Sequence, residues 1–117
     1  MSEKVDIKES SDNTILLKKP TYKLPAYPQL VKFMNKEGTG FEIEIHIPGA
    51  HKDSIELKLN KNFISLIAET DTIRYQRVYG FECSVIPEQA VADYDNGILR
   101  IKTPFEEEQE LFDIKID

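Results

Sequence analysis

Two histidines, one cysteine and several clustered acids are the side chains of this sequence best suited to chemistry. His46 and His51 flank Pro48-Gly49 and could begin a metal site. Neither a cysteine nor a third histidine stands near them in sequence, which makes a poor zinc set. His46 also falls on the polar face of an alternating segment, the ordinary place for a surface histidine. Cys83 could serve as a nucleophile with a histidine as its base. It shares a period-2 face with Phe81 and Val85, however, so a small buried hydrophobe is the simpler reading. Asp93 and Asp95 look like the paired acids of glycoside hydrolysis. They border a tight turn, where Asp side chains bond the local backbone. The run from Glu106 to Glu110 reads as a solvated, self-repelling linker. Phosphate loops, dinucleotide fingerprints and nucleophile elbows are absent. No catalytic, cofactor-binding or metal site is expected, and the chain does not read as an enzyme.

Bulk properties point the same way. A chain of 117 residues buries roughly two-thirds of its unfolded surface, enough for one domain without metals or disulfides. Hydrophobic residues make up 40% and charged residues 31%, a globular balance. A lone cysteine cannot close an internal disulfide. No apolar run approaches the roughly 20 residues that span a bilayer, and the charged segment 1–11 lacks the apolar stretch of a secretory signal. A cytoplasmic location without a membrane partner is expected. The net charge of −6 sits mostly on residues 106–117, where Glu106, Glu107, Glu108, Glu110, Asp113 and Asp117 face only Lys115. Without a basic stripe, nucleic acid is not an expected partner.

The elements that would position these residues are short. Residues 1–28 read as a flexible arm, since Pro20, Pro25 and Pro28 oppose helix and central strand alike. The arm carries Ile15, Leu16 and Leu17, apolar groups that could dock on something or pack on the chain's own domain. Beyond it the period becomes two. Phe41, Ile43, Ile45 and Ile47 alternate with Glu42, Glu44 and His46, and Pro48-Gly49 stops the strand. Ile55, Leu57 and Leu59 alternate with Glu56 and Lys58 up to the turn Asn60-Lys61-Asn62. Residues 63–68 are apolar on both sides, which suggests a more buried strand. Residues 75–86 form one long β-prone stretch with Gly80 at a bulge or bend. Asp95-Asn96-Gly97 is a tight-turn signal leading into the strand 98–102. Only 51–55 and 88–92 could be helical, each for about one turn. The fold class is all-β, an antiparallel, immunoglobulin-like sandwich of about seven to eight strands.

Three segments together resemble the α-crystallin domain of the small heat-shock proteins. The first is Ile47-Pro48-Gly49-Ala50, closing the strand 43–47 and followed by residues 52–57. The second is the signature turn Ala92, Asn96, Gly97, Ile98 and Leu99, in the pattern A-x-x-x-n-G-v-L. The third is Ile114-Lys115-Ile116, an Ile-x-Ile motif near the end. The resemblance covers residues 29–105 and the tail, and divides the chain into arm (1–28), sandwich (29–105) and acidic tail (106–117). It departs from the family in two ways. The connection between the strands ending near Glu69 and beginning near Tyr79 is short, where family members of the bacterial and plant kind use a longer loop to swap a strand, so a swapped loop and edge-to-edge pairing both stay open as the dimer mode. The arginine common in the strand after that connection is absent near Glu82.

The resemblance implies an ATP-independent holdase that binds partly unfolded proteins, needs no cofactor and assembles with itself as dimers or larger oligomers. Ile114 and Ile116 would be the oligomerisation tail. They would dock in a groove between the strand of Leu57 and Leu59 and the strand near Val91. The arm residues Ile15, Leu16 and Leu17 would contact clients. Two other classes stay open at this point: a CS-type co-chaperone adaptor, and an enzyme on a sandwich scaffold. The Ile-x-Ile tail and the signature turn favour the first reading.

Overall fold

The computed structural model describes residues 23–108 and 110–117. Ile15, Leu16 and Leu17 lie outside them. Its strands are β1 (Leu24–Ala26), β2 (Gln29–Met34), β3 (Gly40–His46), β4 (Glu56–Leu59), β5 (Phe63–Glu69), β6 (Ile73–Gly80), β7 (Val91–Asp95) and β8 (Ile98–Pro104). They form two four-stranded sheets in the orders β1-β6-β5-β4 and β2-β3-β8-β7. Neighbours pair antiparallel except β1 and β6, which are parallel. No helix among these residues is long and apolar enough to cross a membrane.

Alternation builds the core. On β3 the inward Phe41, Ile43 and Ile45 are buried, and Ile47 continues the series just past the strand. Ile43 lies opposite Ile101 and Ile45 opposite Leu99 on β8. Ile64, Leu66 and Ala68 of β5 and Tyr75 of β6 face them from the other sheet. Fully burying each large aliphatic side chain contributes about 1.5–3 kcal/mol. At one end Phe41 meets Phe105 edge-on at 4.7 Å between centroids and stacks with Phe81 at 5.6 Å. The outer face of β3 is wet, and its Glu44 lies 3.6 Å from Arg100 on β8.

Turn chemistry follows the sequence closely. Asn60 Oδ1 accepts from the N–H groups of Asn62 and Phe63, which folds the chain between β4 and β5. Asn96 (φ 51°) and Gly97 (φ 78°) both occupy the left-handed region. A two-residue loop with that geometry matches the twist of its flanking strands. The two helical segments are single 3-10 turns, Lys52–Ser54 and Pro87–Gln89.

Several details differ from the sequence reading. β6 starts at Ile73 and stops at Gly80 rather than running from 75 to 86. Beyond Gly80 one more bond keeps the β5–β6 register, from Phe81 N–H to Asn62 O; the chain then turns away, and Val85 donates to Lys61 O and bridges to Phe105. Gly80 therefore ends a strand instead of kinking one. β6 is not without arginine, since Arg74 and Arg77 lie inside it and Glu82 lies beyond. β5 is fully buried on one face only, with Ser65 and Ile67 half-buried. Within residues 1–28, Leu24–Ala26 forms a strand despite Pro25, at a sheet edge where a missing N–H is tolerated.

Candidate functional site

The side of the sandwich formed by β4 and β7 is open. Both are edge strands, one from each sheet. Between them runs a groove of about 330 Å³, walled by Ile55 and Leu57 on one flank and Ala92, Tyr94 and Leu99 on the other. Lys52 and Asp93 add one charge of each sign to its lining. The groove lies between the two strands named by the sequence reading, but register changes its walls. Ala92 and Tyr94 pair with Ile101 and Leu99 and so share their inward face. Val91 belongs to the opposite set, is exposed, and borders a separate depression of about 160 Å³ beside Gly40 and Lys102. Leu59 packs half-buried against the core and does not line the groove. Tyr94 and Ile55 were legible from period two, once Ala92 and Leu57 were placed inward.

The signature turn shapes the same region. Asn96 and Gly97 form the loop, Ile98 is half-buried, Leu99 serves both core and groove, and Ala92 faces the groove. Ile114 and Ile116 carry no regular secondary structure and are 79% and 91% exposed. Neither lines the groove of its own chain.

No protein-family model matches the sequence, and comparison with curated proteins finds no relative. Solved structures do superpose. Heat shock protein 16.0 from Schizosaccharomyces pombe matches with a TM-score of 0.64 at 14% identity, over 79% of this chain and 99% of its own. HSP18.5 from E. histolytica matches with 0.61 at 17% identity, over 78% and 99%. The Del-C4 mutant of hsp14.1 from Sulfolobus solfatataricus matches with 0.60 at 24% identity, over 71% and 78%. The sandwich has the α-crystallin fold of the small heat-shock proteins.

On this α-crystallin sandwich the side opposite the groove is closed by the chain itself. β1 lies on one sheet and β2 on the other, with Tyr27-Pro28 crossing between them. Two inward cations sit at this seam. Lys32 Nζ bonds Glu82 Oε1 at 2.6 Å and lies 4.1 Å from the centroid of Phe41. Arg77 Nη1 donates to Pro28 O at 2.8 Å, and its guanidinium lies 4.3 Å from the centroid of Tyr27. The Lys32 ammonium holds the Glu82 carboxyl below its ordinary range, with help from a backbone hydrogen bond. Glu69 is held low by hydrogen bonds from Lys23 and then Arg74, at 3.0 and 2.9 Å.

The residues with chemical potential are scattered. His51 Nε2 lies 2.9 Å from Asp71 Oδ1 on an exposed loop, and His46 is half-buried opposite Ile98. Cys83 is half-buried, and burial pushes its thiol above the usual range. Asp93 lies opposite Arg100 on the outer face. Among the described residues no three or more His, Cys, Asp or Glu side chains lie together as a metal site.

Proposed function

We propose that the chain is a non-enzymatic, ATP-independent holdase of the small heat-shock type, cytoplasmic, and self-associating as dimers or larger particles. The observation that carries this reading is the open apolar groove together with an exposed tail of matching period. Ile55, just before β4, and Leu57 on it stand two residues apart, as Ile114 and Ile116 do on the tail. Extended chains repeat each face every two residues, about 6.8 Å, so the tail presents its isoleucines at the spacing of the groove wall.

In this reading residues 29–105 are the scaffold, residues 106–117 join one copy to the groove of another, and residues 1–28 contact clients through Ile15, Leu16 and Leu17. Burying each isoleucine contributes at most about 1.5–3 kcal/mol, and ordering the tail offsets much of it. A single tail binds weakly, while several tails in one particle reinforce each other through effective concentration. No nucleotide is needed, because holding an unfolded chain shifts its equilibrium by mass action.

Two measurements test the reading. The protein should suppress aggregation of a heated or reduced client without ATP; no suppression at any molar ratio removes the holdase function. Ile114→Ala with Ile116→Ala should reduce a larger assembly to dimers while the sandwich stays folded. A variant that keeps the mass of a larger wild-type particle removes the tail as the assembly contact.

A further inference from the structure

The groove between β4 and β7 carries two charges, and neither is engaged. Lys52 and Asp93 line it and are exposed. Neither side chain has a hydrogen bond or ion pair to another described residue. Arg100, the cross-strand neighbour of Asp93, turns instead to Glu44 at 3.6 Å. The rest of the lining is apolar except for Tyr94, whose hydroxyl is directed to Ala50 O at 2.9 Å.

The tail has unpaired charges of its own. Asp113, Lys115 and Asp117 are exposed and make no ion pair with another described residue. They alternate with Ile114 and Ile116, so residues 113–117 read Asp-Ile-Lys-Ile-Asp in either direction. Register brings the two sets together. Asp93 stands between the inward residues Ala92 and Tyr94 on β7, as Lys115 stands between the two isoleucines. Extended chains return to the same face every second residue, about 6.8 Å apart. With the isoleucines level with Ala92 and Tyr94, Lys115 is level with Asp93. Lys52 lies in the 3-10 turn Lys52–Ser54, just past Ile55 on the other flank. The tail residue reaching that end is Asp113 in one direction and Asp117 in the other. Both are acids.

We propose that these two rim charges select which tail the groove accepts. Asp93 takes the cation between the isoleucines, and Lys52 takes an acid just outside them. This selection rests on the proposed docking of one copy's tail in the groove of another. The occupant that fits the pattern is the tail of a second copy of this chain. An Ile-x-Ile segment with an acid at x sets like charges together at Asp93 and is disfavoured. Exposed ion pairs add little to affinity, so isoleucine burial holds the tail while the charges discriminate between tails.

The test uses the full chain carrying Ile114→Ala and Ile116→Ala, so that its own tail does not compete. Two peptides of residues 110–117, blocked at both ends, serve as probes, one with the natural sequence and one with Lys115→Glu. In NMR titrations at low salt the natural peptide should bind about threefold to tenfold more tightly, as expected when an exposed pair becomes a repulsion. Asp93→Lys in the protein should invert that order, and Asp93→Asn should narrow the gap. Lys52→Glu should weaken the natural peptide and favour one carrying Asp113→Lys and Asp117→Lys. At 1 M salt, where the screening length falls to about 3 Å, the peptides should bind nearly alike. Equal binding of both peptides to every protein at low salt overturns the selection and leaves tail docking standing. Equal weakening of both by Asp93→Lys, with no change of order, overturns it too. Absence of saturable binding by the natural peptide overturns tail docking itself, and the selection with it. If Asp93→Lys fails to fold, Asp93→Asn decides.

Discussion

The N–H of Ile47 donates to the carbonyl oxygen of Gly97 at 2.8 Å, joining two turns that lie about fifty residues apart in the chain. A Cβ built on Gly97 would stand 3.0 Å from Pro48 Cα. The Pro48-Gly49 turn and the Asn96-Gly97 turn are therefore one packed unit beside the groove.

Gly97 is held at φ 78° and is crowded as well. Gly97→Ala should cost about 1–2 kcal/mol, and Gly97→Val more, because both strain and contact oppose a side chain there. Thermal melting checks this; a melting temperature unchanged in the valine variant would contradict the turn geometry.

Two tyrosines clamp the same unit from opposite sheets. Tyr75 Oη donates to Pro48 O at 2.8 Å, and Tyr94 Oη to Ala50 O at 2.9 Å. Tyr75→Phe and Tyr94→Phe should each lower stability by about 1 kcal/mol in urea titrations, the net worth of one hydrogen bond. Tyr94→Phe keeps an apolar groove wall and should leave assembly mass unchanged.

Gly40 and Gly80 make a contrasting pair. A Cβ on Gly40 would meet Thr103 O at 2.4 Å and Pro104 Cα at 2.9 Å, both backbone atoms of the neighbouring strand. Gly40→Ala must displace β8 and should cost about 2–4 kcal/mol. Gly80 has its nearest neighbour at 3.9 Å, so Gly80→Ala should be neutral or stabilise by up to about 1 kcal/mol. Equal losses in the two variants would contradict this packing.

Acid should loosen the junction of arm and sandwich. Lys23 and Arg74 hold the Glu69 carboxyl below its usual range when folded. Its stabilising contribution is therefore present above the unfolded value, about pH 4.3, and is lost as pH falls through the lower folded value. Urea midpoints of wild type and Glu69→Gln should differ at neutral pH and converge as pH drops below that range. A difference that persists at the most acid pH would mean the carboxylate is not the cause.

The groove gives a direct binding prediction. A peptide of residues 110–117 should bind the double tail variant weakly, in the high micromolar to millimolar range. Ala92→Trp, which fills the groove from an exposed position, should abolish that binding while melting stays unchanged. Equal binding to both proteins would place the peptide elsewhere.

Much of this architecture is written locally in the chain. Phe41, Ile43, Ile45 and Ile47 state their own period, and Asn96-Gly97 states its own turn. What was not legible depends on partners far away in sequence. β6 stops near Gly80 because its partner β5 begins at Phe63, just after the Asn60 turn, so that Val85 bonds Lys61 O and Phe105 instead of a continuing ladder. β1 forms because β6 offers an edge, whatever its proline prefers. Tyr75 and Tyr94 read as ordinary β-formers, and nothing beside them names the carbonyls at Pro48 and Ala50. Val91 was assigned to the groove by proximity to the correct strand, where the pairing of Ala92 with Ile101 decides otherwise.

The pairing of β3 with β8 also sets an order of events during synthesis. β3 carries buried isoleucines, yet its central partner runs from Ile98 to Pro104, opposite His46 back to Gly40. A ribosome adding roughly 5–20 residues per second completes that partner several seconds after β3 has been made. Through that interval β3 has only β2 beside it in its own sheet, and Ile43 and Ile45 lack Ile101 and Leu99 opposite them. The sheet around β3 is therefore closed last, by the strand made last.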